Sequence, residues 1–236
     1  MPDSVPLVFV HGFMGRASDW EAIRSHFTRE TQAPDVHGVS LDEAADGLLE
    51  TYPGPVILLG YSMGARLALH AAVRHPERVW ALVLESGMPG LEGETERLAR
   101  RTQDKTRAAA LQREGMQPFL EAWYAQPLFS TLGEHRTQLI QERSSLDPAM
   151  VAQQLCALSV AQQPNHWLAL QNLSMPVLAL AGSLDHKYAA VAERIASTCP
   201  QGQCVIIDQA GHNVHLERPD AYVAAVKTFL THIGDD

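Results

Sequence analysis

The stretch that decides the fold is VILLGYSMGARLAL, residues 56–69. A short apolar run ends at Gly60, and a helix-forming run starts just after Ser62. Between them, the pattern G-x-S-x-G predicts a sharp turn from a buried strand into a helix, with the serine hydroxyl projecting from the bend. Side chains two residues either side of the serine would collide there, which explains glycine at 60 and 64. Taken alone, the pattern also describes a tight glycine turn with an incidental serine.

Composition describes an acidic chain that can bury a sizeable core. Its 236 residues suit one α/β domain, or a core with a smaller inserted piece, and 46% of them are hydrophobic. The net charge of -9 and the pI near 5.6 argue against a nucleic-acid partner. No apolar run approaches the length of a membrane span, so we expect no membrane insertion. The sequence carries no signal for an oligomeric state.

The cysteines and the first residues bear on the compartment. Cys156, Cys199 and Cys204 have no metal-ligand spacing, and their number is odd. Residues 1–4 have no basic region, and no long apolar segment precedes the first predicted strand. We therefore expect no secretory signal, reduced thiols and a cytoplasmic protein.

Strands and helices alternate through most of the chain. Short apolar runs predict strands at residues 5–10, 35–38, 56–59, 79–84, 177–181 and 204–207. Helices are predicted from capping boxes at 18–21 and 40–43, after Ser62 as far as His75, over 188–197 and over 219–232. This alternation predicts an α/β fold, with a mostly parallel central sheet flanked by helices.

The alternation stops between residues 91 and 172. No convincing strand occurs there, and helices are predicted over 92–114, 118–123, 134–143 and 148–162. The simplest interpretation is a helical cap over 91–172, inserted between strands of a core formed by 1–90 and 173–236. Seven of the fifteen arginines of the chain lie in this segment, although the protein is acidic overall.

A serine, an aspartate and a histidine follow predicted strands in the order Ser62, Asp185, His212. The carboxyl ends of parallel strands form one edge of a sheet, where ligand sites occur. A histidine can take the serine proton, and an acid can orient the histidine. The three residues are therefore predicted to form a catalytic triad. His215 and His186 are close competitors for the histidine position, but the AGHN context and the helix that follows favour His212.

The loop HGFMG at residues 11–15 follows the first predicted strand. Its glycines would let the backbone approach a ligand, so the N–H of Phe13 and that of Met63 are predicted to form an oxyanion hole. The His11 side chain is interpreted as structural, bonding to neighbouring backbone.

These motifs make the chain resemble the α/β hydrolases over essentially its whole length. A narrower resemblance is to the MenH enzymes of the menaquinone pathway, the 2-succinyl-6-hydroxy-2,4-cyclohexadiene-1-carboxylate synthases. It rests on these segments: GYSMGAR (60–66), ESGMPGL (85–91), the helix carrying Arg97, Arg100 and Arg101, WYAQPLF (123–129), RSS (143–145) and AGHN (210–213). Two departures are Ala65, where a third glycine is common in the family, and the short turn at 35–38.

The resemblance implies a lyase that expels pyruvate from an enolpyruvyl-bearing cyclohexene. Ser62 would act as a base, and the oxyanion hole would hold the developing enolate, with no water, cofactor or metal needed. The substrate would be a small anionic polycarboxylate. Arg66 lies one helical turn past Ser62 and is a candidate to bind it, and the resemblance assigns carboxylate binding to Arg100 and Arg143. Tyr61 and Trp123 are candidates for contact with the substrate.

Other readings of the same residues remain open. Arg97 and Arg101 are better explained as a solvated helix face, and Trp123 and Tyr61 are as well explained by packing. A serine esterase or thioesterase, or a carbon–carbon bond hydrolase, would need the same triad. A hydrolase-fold ligand receptor is a third alternative, which a complete triad argues against.

Overall fold

The computed structural model describes residues 5–234. Predictions that concern residues 1–4 therefore lie outside the described residues. Six strands form one parallel sheet in the order β2-β1-β3-β4-β5-β6. The strands are β1 (Leu7–Val10), β2 (Thr31–Gln32), β3 (Val56–Tyr61), β4 (Val79–Glu85), β5 (Val177–Gly182) and β6 (Gly202–Ile207). The prediction of an α/β fold with a parallel sheet is confirmed.

Ten α-helices occur in the described part of the chain. They are α1 (Glu21–Arg24), α2 (Leu41–Glu50), α3 (Met63–Arg74), α4 (Glu94–Glu114), α5 (Met116–Tyr124), α6 (His135–Arg143), α7 (Pro148–Ala157), α8 (His186–Thr198), α9 (Val214–Glu217) and α10 (Pro219–Gly234). No helix among residues 5–234 is long and apolar enough to cross a membrane.

The central strands are apolar on both faces because helices cover both sides of the sheet. In β3, Val56 and Leu58 pack into one apolar cluster with α2, α3 and α8. Ile57 and Leu59 point the other way, into a cluster with α1 and α10. The two-residue period of the strand thus divides one apolar run between two cores.

The second strand was predicted in the wrong place. It lies at Thr31–Gln32, where Leu7 pairs with Thr31, and residues 35–38 form no strand. Side chains take the hydrogen bonds that a strand would need: the N–H of Val36 donates to Nε2 of His11 at 2.9 Å. The Asp35 carboxylate is likewise engaged with the backbone of the loop after β1.

Two helix boundaries also differ from prediction. The first helical turn starts at Ala17, because Asp19 accepts the N–H of Arg16 and so caps the turn earlier than Ser18 would. The helix that was expected to reach residue 162 ends at Ala157. Beyond it, the hydroxyl of Ser159 accepts the N–H of Ala161, which starts a turn in place of a further helical turn.

Helices α4–α7 lie between β4 and β5 and share an apolar cluster of their own. Leu111 of α4, Leu120 of α5, Leu139 of α6 and Leu155 of α7 all belong to it. Met14 of the loop after β1 also packs into this cluster, which attaches it to the sheet. These contacts support the proposed cap over residues 91–172.

Replacing Gly64 and replacing Gly47 by alanine should change the free energy of unfolding in opposite directions. Gly64→Ala is expected to lower the free energy of unfolding by about 3 kcal/mol or more, because the new Cβ would lie 2.1 Å from the carbonyl oxygen of Val10. Gly47 lies inside α2 with nothing within 4 Å of a new Cβ. Gly47→Ala should therefore raise the free energy of unfolding by about 0.5–1 kcal/mol. Denaturant unfolding of both variants tests the pair, and equal stability of Gly64→Ala and the wild type would contradict the steric argument.

Candidate active site

Ser62 lies at a strained bend between β3 and α3. Its backbone has φ 52° and ψ -106°, a conformation that L-residues rarely adopt. The N–H of Ser62 donates to the carbonyl of Glu85 at 2.9 Å, which holds the bend against the end of β4. A Cβ on Gly60 would lie 2.4 Å from backbone atoms of Gly64, and the corresponding atom on Gly64 would meet Val10. Close backbone packing therefore requires both glycines.

Ala65 is accommodated at the bend by a glycine on the neighbouring strand end. A Cβ on Gly87 would lie 2.6 Å from the Cβ of Ala65. Because residue 87 has no side chain, the extra methyl group at 65 is fully buried without displacing α3. This departure from the family pattern leaves the bend intact.

The predicted triad residues are within hydrogen-bonding distance of one another. Nε2 of His212 lies 3.1 Å from Oγ of Ser62, and Nδ1 of His212 lies 2.7 Å from Oδ2 of Asp185. Oδ1 of Asp185 accepts the N–H of Tyr188 at the start of α8. The Tyr188 ring meets the His212 ring edge-on, with centroids 4.6 Å apart. This arrangement suits transfer of the serine proton to an oriented imidazole.

The loop that carries His212 is held by two other side chains. The Glu217 carboxylate accepts the N–H of Gly211 at 2.8 Å and that of Asn213 at 3.1 Å. On the other side, the Ser86 hydroxyl donates to the carbonyl of His212 at 2.8 Å. The backbone on each side of the imidazole is therefore fixed before any ligand binds.

The competing histidines have other environments. His215 is buried and pairs through Nδ1 with the Glu85 carboxylate at 2.8 Å. His186 is exposed at the first position of α8. Within residues 5–234, neither makes a hydrogen bond to Ser62, whereas His212 does.

His11 has the structural environment that was expected. Its Nδ1 lies 2.8 Å from the carbonyl of Gly12, and its Nε2 accepts the N–H of Val36. This assigns the proton to Nδ1, and burial lowers the pKa of His11 below its ordinary value. The loop is thereby fixed, with the N–H of Phe13 making no hydrogen bond within residues 5–234. Met63 is the first residue of α3, where an N–H has no intrahelical acceptor.

Two cavities meet at Ser62. Both are bordered by Phe13, Ser62, Trp123 and Phe129. The wide cavity has a volume of about 440 Å³ and is also bordered by Asp19, Tyr61, Tyr124, Glu142, Arg143 and His215. The arginine cavity has a volume of about 230 Å³ and is also bordered by Met63, Arg66, Arg100, Arg107, Lys187 and Tyr188. Asp185 and His212 border neither, and residues 35–38 line a separate groove.

Arg66 connects the core to the cap. It follows Ser62 by one turn of α3, and donates to the carbonyl of Leu158 at 2.7 Å and to the Gln163 amide oxygen at 3.2 Å. Burial, with a smaller effect of the nearby Arg100, lowers the pKa of Arg66 to about 10. The guanidinium therefore remains charged at neutral pH beside the arginine cavity.

Arg100 is anchored by a buried carboxylate. Its Nε donates to Asp104 at 2.9 Å, and Asp104, 1% exposed, also accepts the Ser159 hydroxyl at 2.6 Å. The two terminal nitrogens of Arg100 have no hydrogen-bond partner in the described chain. They are therefore available to an anion in the arginine cavity.

Arg143 faces the wide cavity. Its Nε donates to the carbonyl of Met14 at 2.9 Å and one terminal nitrogen to Asp19 at 2.7 Å, while the other, NH1, has no partner. Tyr61 lines the same cavity and packs against His212 and His215. Trp123 borders both cavities, and the centroid of its ring lies 4.9 Å from that of Phe13.

Several residues of the site were not predicted from the sequence. Arg107 shares one face of α4 with Arg100 and Asp104, and this spacing was a readable signal. Glu85 and Glu217 act through contacts with the loop around His212, and no local pattern marks them.

Comparison with known proteins places this geometry in a family. A model of the alpha/beta hydrolase fold matches residues 40–219. The 2-succinyl-6-hydroxy-2,4-cyclohexadiene-1-carboxylate synthase of Enterobacter sp. (strain 638) is 33% identical over 95% of this chain and 91% of its own length. That of Serratia proteamaculans (strain 568) is 32% identical over 97% and 94%. A solved structure, MenH from S. aureus, superposes with a TM-score of 0.92 at 31% identity, over 98% of this chain and 94% of that one.

The chain therefore belongs to the α/β-hydrolase fold family, as one of its enzymes. Its narrower resemblance to the MenH synthases, seen first in scattered motifs, is confirmed over nearly the whole chain.

Labelling with a fluorophosphonate probe tests the triad. The wild type is expected to be phosphonylated at Ser62, and Asp185→Asn should slow labelling by on the order of 10³-fold or more, because the imidazole loses its orienting carboxylate. His186→Gln is the matched control and should label at the wild-type rate. The rate is read by mass spectrometry of the intact protein. Wild-type labelling of Asp185→Asn would contradict the assignment.

Proposed function

We propose that this protein eliminates pyruvate from 2-succinyl-5-enolpyruvyl-6-hydroxy-3-cyclohexene-1-carboxylate. The product would be 2-succinyl-6-hydroxy-2,4-cyclohexadiene-1-carboxylate, an intermediate of menaquinone biosynthesis. The observation that carries the proposal is the arginine cavity beside Ser62. Together with the likeness to the synthases, it supports a reaction on a small polycarboxylate rather than on a neutral ester.

The triad supplies the base for this elimination. His212 takes the proton of Ser62, and Ser62 then removes the proton from the ring carbon that bears the succinyl group. His212 is 1% exposed and borders neither cavity, so Ser62 is the group that meets the substrate. The N–H groups of Phe13 and Met63 stabilise the negative charge that develops on the succinyl carbonyl oxygen. Each such donor contributes roughly 3–4 kcal/mol to the transition state.

Local positive charge offsets the repulsion of the whole protein. A net charge of -9 disfavours an anionic ligand, and the arginine cavity reverses this locally with Arg66, Arg100, Arg107 and Lys187 against Glu96. On the other side of Ser62, Arg143 borders the wide cavity while paired with Asp19. Tyr61 and Trp123 provide flat apolar surfaces against which the ring can pack.

The rest of the proposal follows from the chemistry. An elimination of this kind needs a base and stabilised oxyanions, so we assign no metal or cofactor and no hydrolytic water. We place the reaction in the cytoplasm, with no nucleic-acid partner. An esterase would use the same triad but would not need so many cations around the serine. A carbon–carbon bond hydrolase of ring-cleavage products would also take an acidic substrate, and the likeness to the synthases favours the elimination over it.

Pyruvate release is the direct test. The enolpyruvyl substrate is generated in situ, and pyruvate is coupled to lactate dehydrogenase. The wild type is expected to release pyruvate well above the unaided decay of the substrate, and Ser62→Ala should abolish that excess because the base is lost. No excess from the wild type, together with rapid hydrolysis of aryl esters, would identify an ordinary serine hydrolase instead.

Arg100 and Arg101 form a matched pair of neighbours on α4. Arg100→Ala should lower kcat/KM for pyruvate release roughly 10- to 100-fold, because a charge-assisted bond to a carboxylate is lost. Arg101 is exposed and borders neither cavity, so Arg101→Ala should have little effect. Fluorophosphonate labelling of Ser62 should stay near the wild-type rate in both variants. Parallel loss of labelling and pyruvate release in Arg100→Ala would indicate a structural role for the arginine.

A further inference from the structure

Beside the triad lies a second carboxylate–histidine pair. Glu85, at the end of β4, is 0% exposed, and both its oxygens lie within 3.0 Å of Nδ1 of His215. The same carboxylate accepts the backbone N–H of His215 at 3.1 Å. His215 is the ion-pair partner of Glu85 among the described residues. A fully buried carboxylate needs hydrogen-bond donors, and the side chain and backbone of His215 supply them here.

The other nitrogen of His215 is free. Nε2 has no hydrogen-bond partner within residues 5–234, and it retains some solvent-accessible surface. The ring is 6% exposed and borders the wide cavity. It stacks on Trp20 with centroids 4.0 Å apart, and meets the Tyr61 ring edge-on at 5.0 Å. The imidazole is thus held in place, with Nδ1 bound to Glu85 and Nε2 left without a partner on a ring that borders the wide cavity.

The two cavities differ in their relation to the oxyanion hole. Phe13 borders both, whereas Met63 borders the arginine cavity alone. A succinyl carbonyl held by both N–H groups therefore places the succinyl chain on the side of the arginine cavity. In the proposed substrate, the succinyl and enolpyruvyl groups are attached to opposite carbons of the six-membered ring. With the ring at Ser62, the enolpyruvyl group extends into the wide cavity.

Resting on the proposed function, we propose that His215 is the general acid for the departing enolpyruvyl group. Its Nε2 gives a proton to the oxygen that leaves the ring, and the positive charge of Arg143, which borders the same cavity, attracts the carboxylate of that group. Glu85 orients the His215 ring through Nδ1. Asp19 and Glu142 also border the wide cavity, so it is less cationic than the arginine cavity and suits a product that must leave.

The proton balance closes without a further reagent. The ring C–H bond breaks, its proton passes to Ser62, and His212 retains the proton that Ser62 gave up. The electron pair of the C–H bond first forms the enolate. It then shifts the ring double bond and breaks the bond between the opposite ring carbon and the enolpyruvyl oxygen. The leaving oxygen takes the proton of His215, and the released enol tautomerises to pyruvate in water. At the end of the cycle, His212 releases one proton to the solvent, and His215 takes one proton from the solvent.

The test compares His215→Gln with His186→Gln, the same change at an exposed histidine that borders neither cavity. His215→Gln is expected to lower kcat for pyruvate release roughly 100-fold or more, with little change in KM. His186→Gln should behave as the wild type. In both variants, Ser62 should react with the fluorophosphonate probe at close to the wild-type rate. Glu85→Gln, which keeps the shape of the pair but not its charge, should reduce kcat in the same direction.

Isotope exchange separates a role in leaving-group departure from a structural one. In deuterated water, His215→Gln should still remove the ring proton, so recovered substrate gains deuterium at the succinyl-bearing carbon beyond the Ser62→Ala background. Unchanged kcat in His215→Gln, or parallel loss of exchange and labelling, would overturn the proposal for His215. Absence of pyruvate release from the wild type would instead overturn the proposed function, and this inference with it.

Discussion

The rest of the structure depends on the close approach of the backbone of α3 to the end of β1. Gly64 lies against the carbonyl oxygen of Val10 with no room for a side chain. This contact brings two unrelated segments together: the loop with the Phe13 N–H, and the first turn of α3 with the Met63 N–H. It also forces Ser62 into a strained conformation, which is held because its own N–H is bound to the end of β4. The contact between Gly64 and Val10 therefore positions both the oxyanion donors and the reactive hydroxyl group.

Three basic side chains of the site are each held by a neighbouring acidic side chain. Arg100 is bound to the buried Asp104, Arg143 to Asp19, and His215 to Glu85. Arg100 keeps both terminal nitrogens without a partner in the described chain after Asp104 is satisfied. Such pairs hold long or mobile side chains in place, so that less conformational entropy is lost when an anion binds. The acidic surface and the cationic interior are compatible because the pairs are local.

The catalytic core was predictable from the sequence because each part has a local signature. G-x-S-x-G, the loop at 11–15 and the strand-end positions of Asp185 and His212 are all short patterns. The second strand was misplaced because it has two residues and little apolar character, while the hydrogen bonds of residues 35–36 go to side chains. Glu85 was not identified because its partner lies 130 residues away. The spacing of α4 places Arg107 on the same face as Arg100, but its place in the arginine cavity is seen only in the structure.

The fit of Ala65 against Gly87 has a consequence for how such sites vary. The space between the elbow helix and the end of β4 holds one methyl group, and in this chain residue 65 occupies it. Gly87 does not have a left-handed backbone, so steric volume alone keeps a side chain from that position. A chain with glycine at 65 has room for alanine at 87, and a chain with alanine at both does not. The two positions thus behave as one site of fixed size, and a substitution at either is tolerated or not according to the residue at the other.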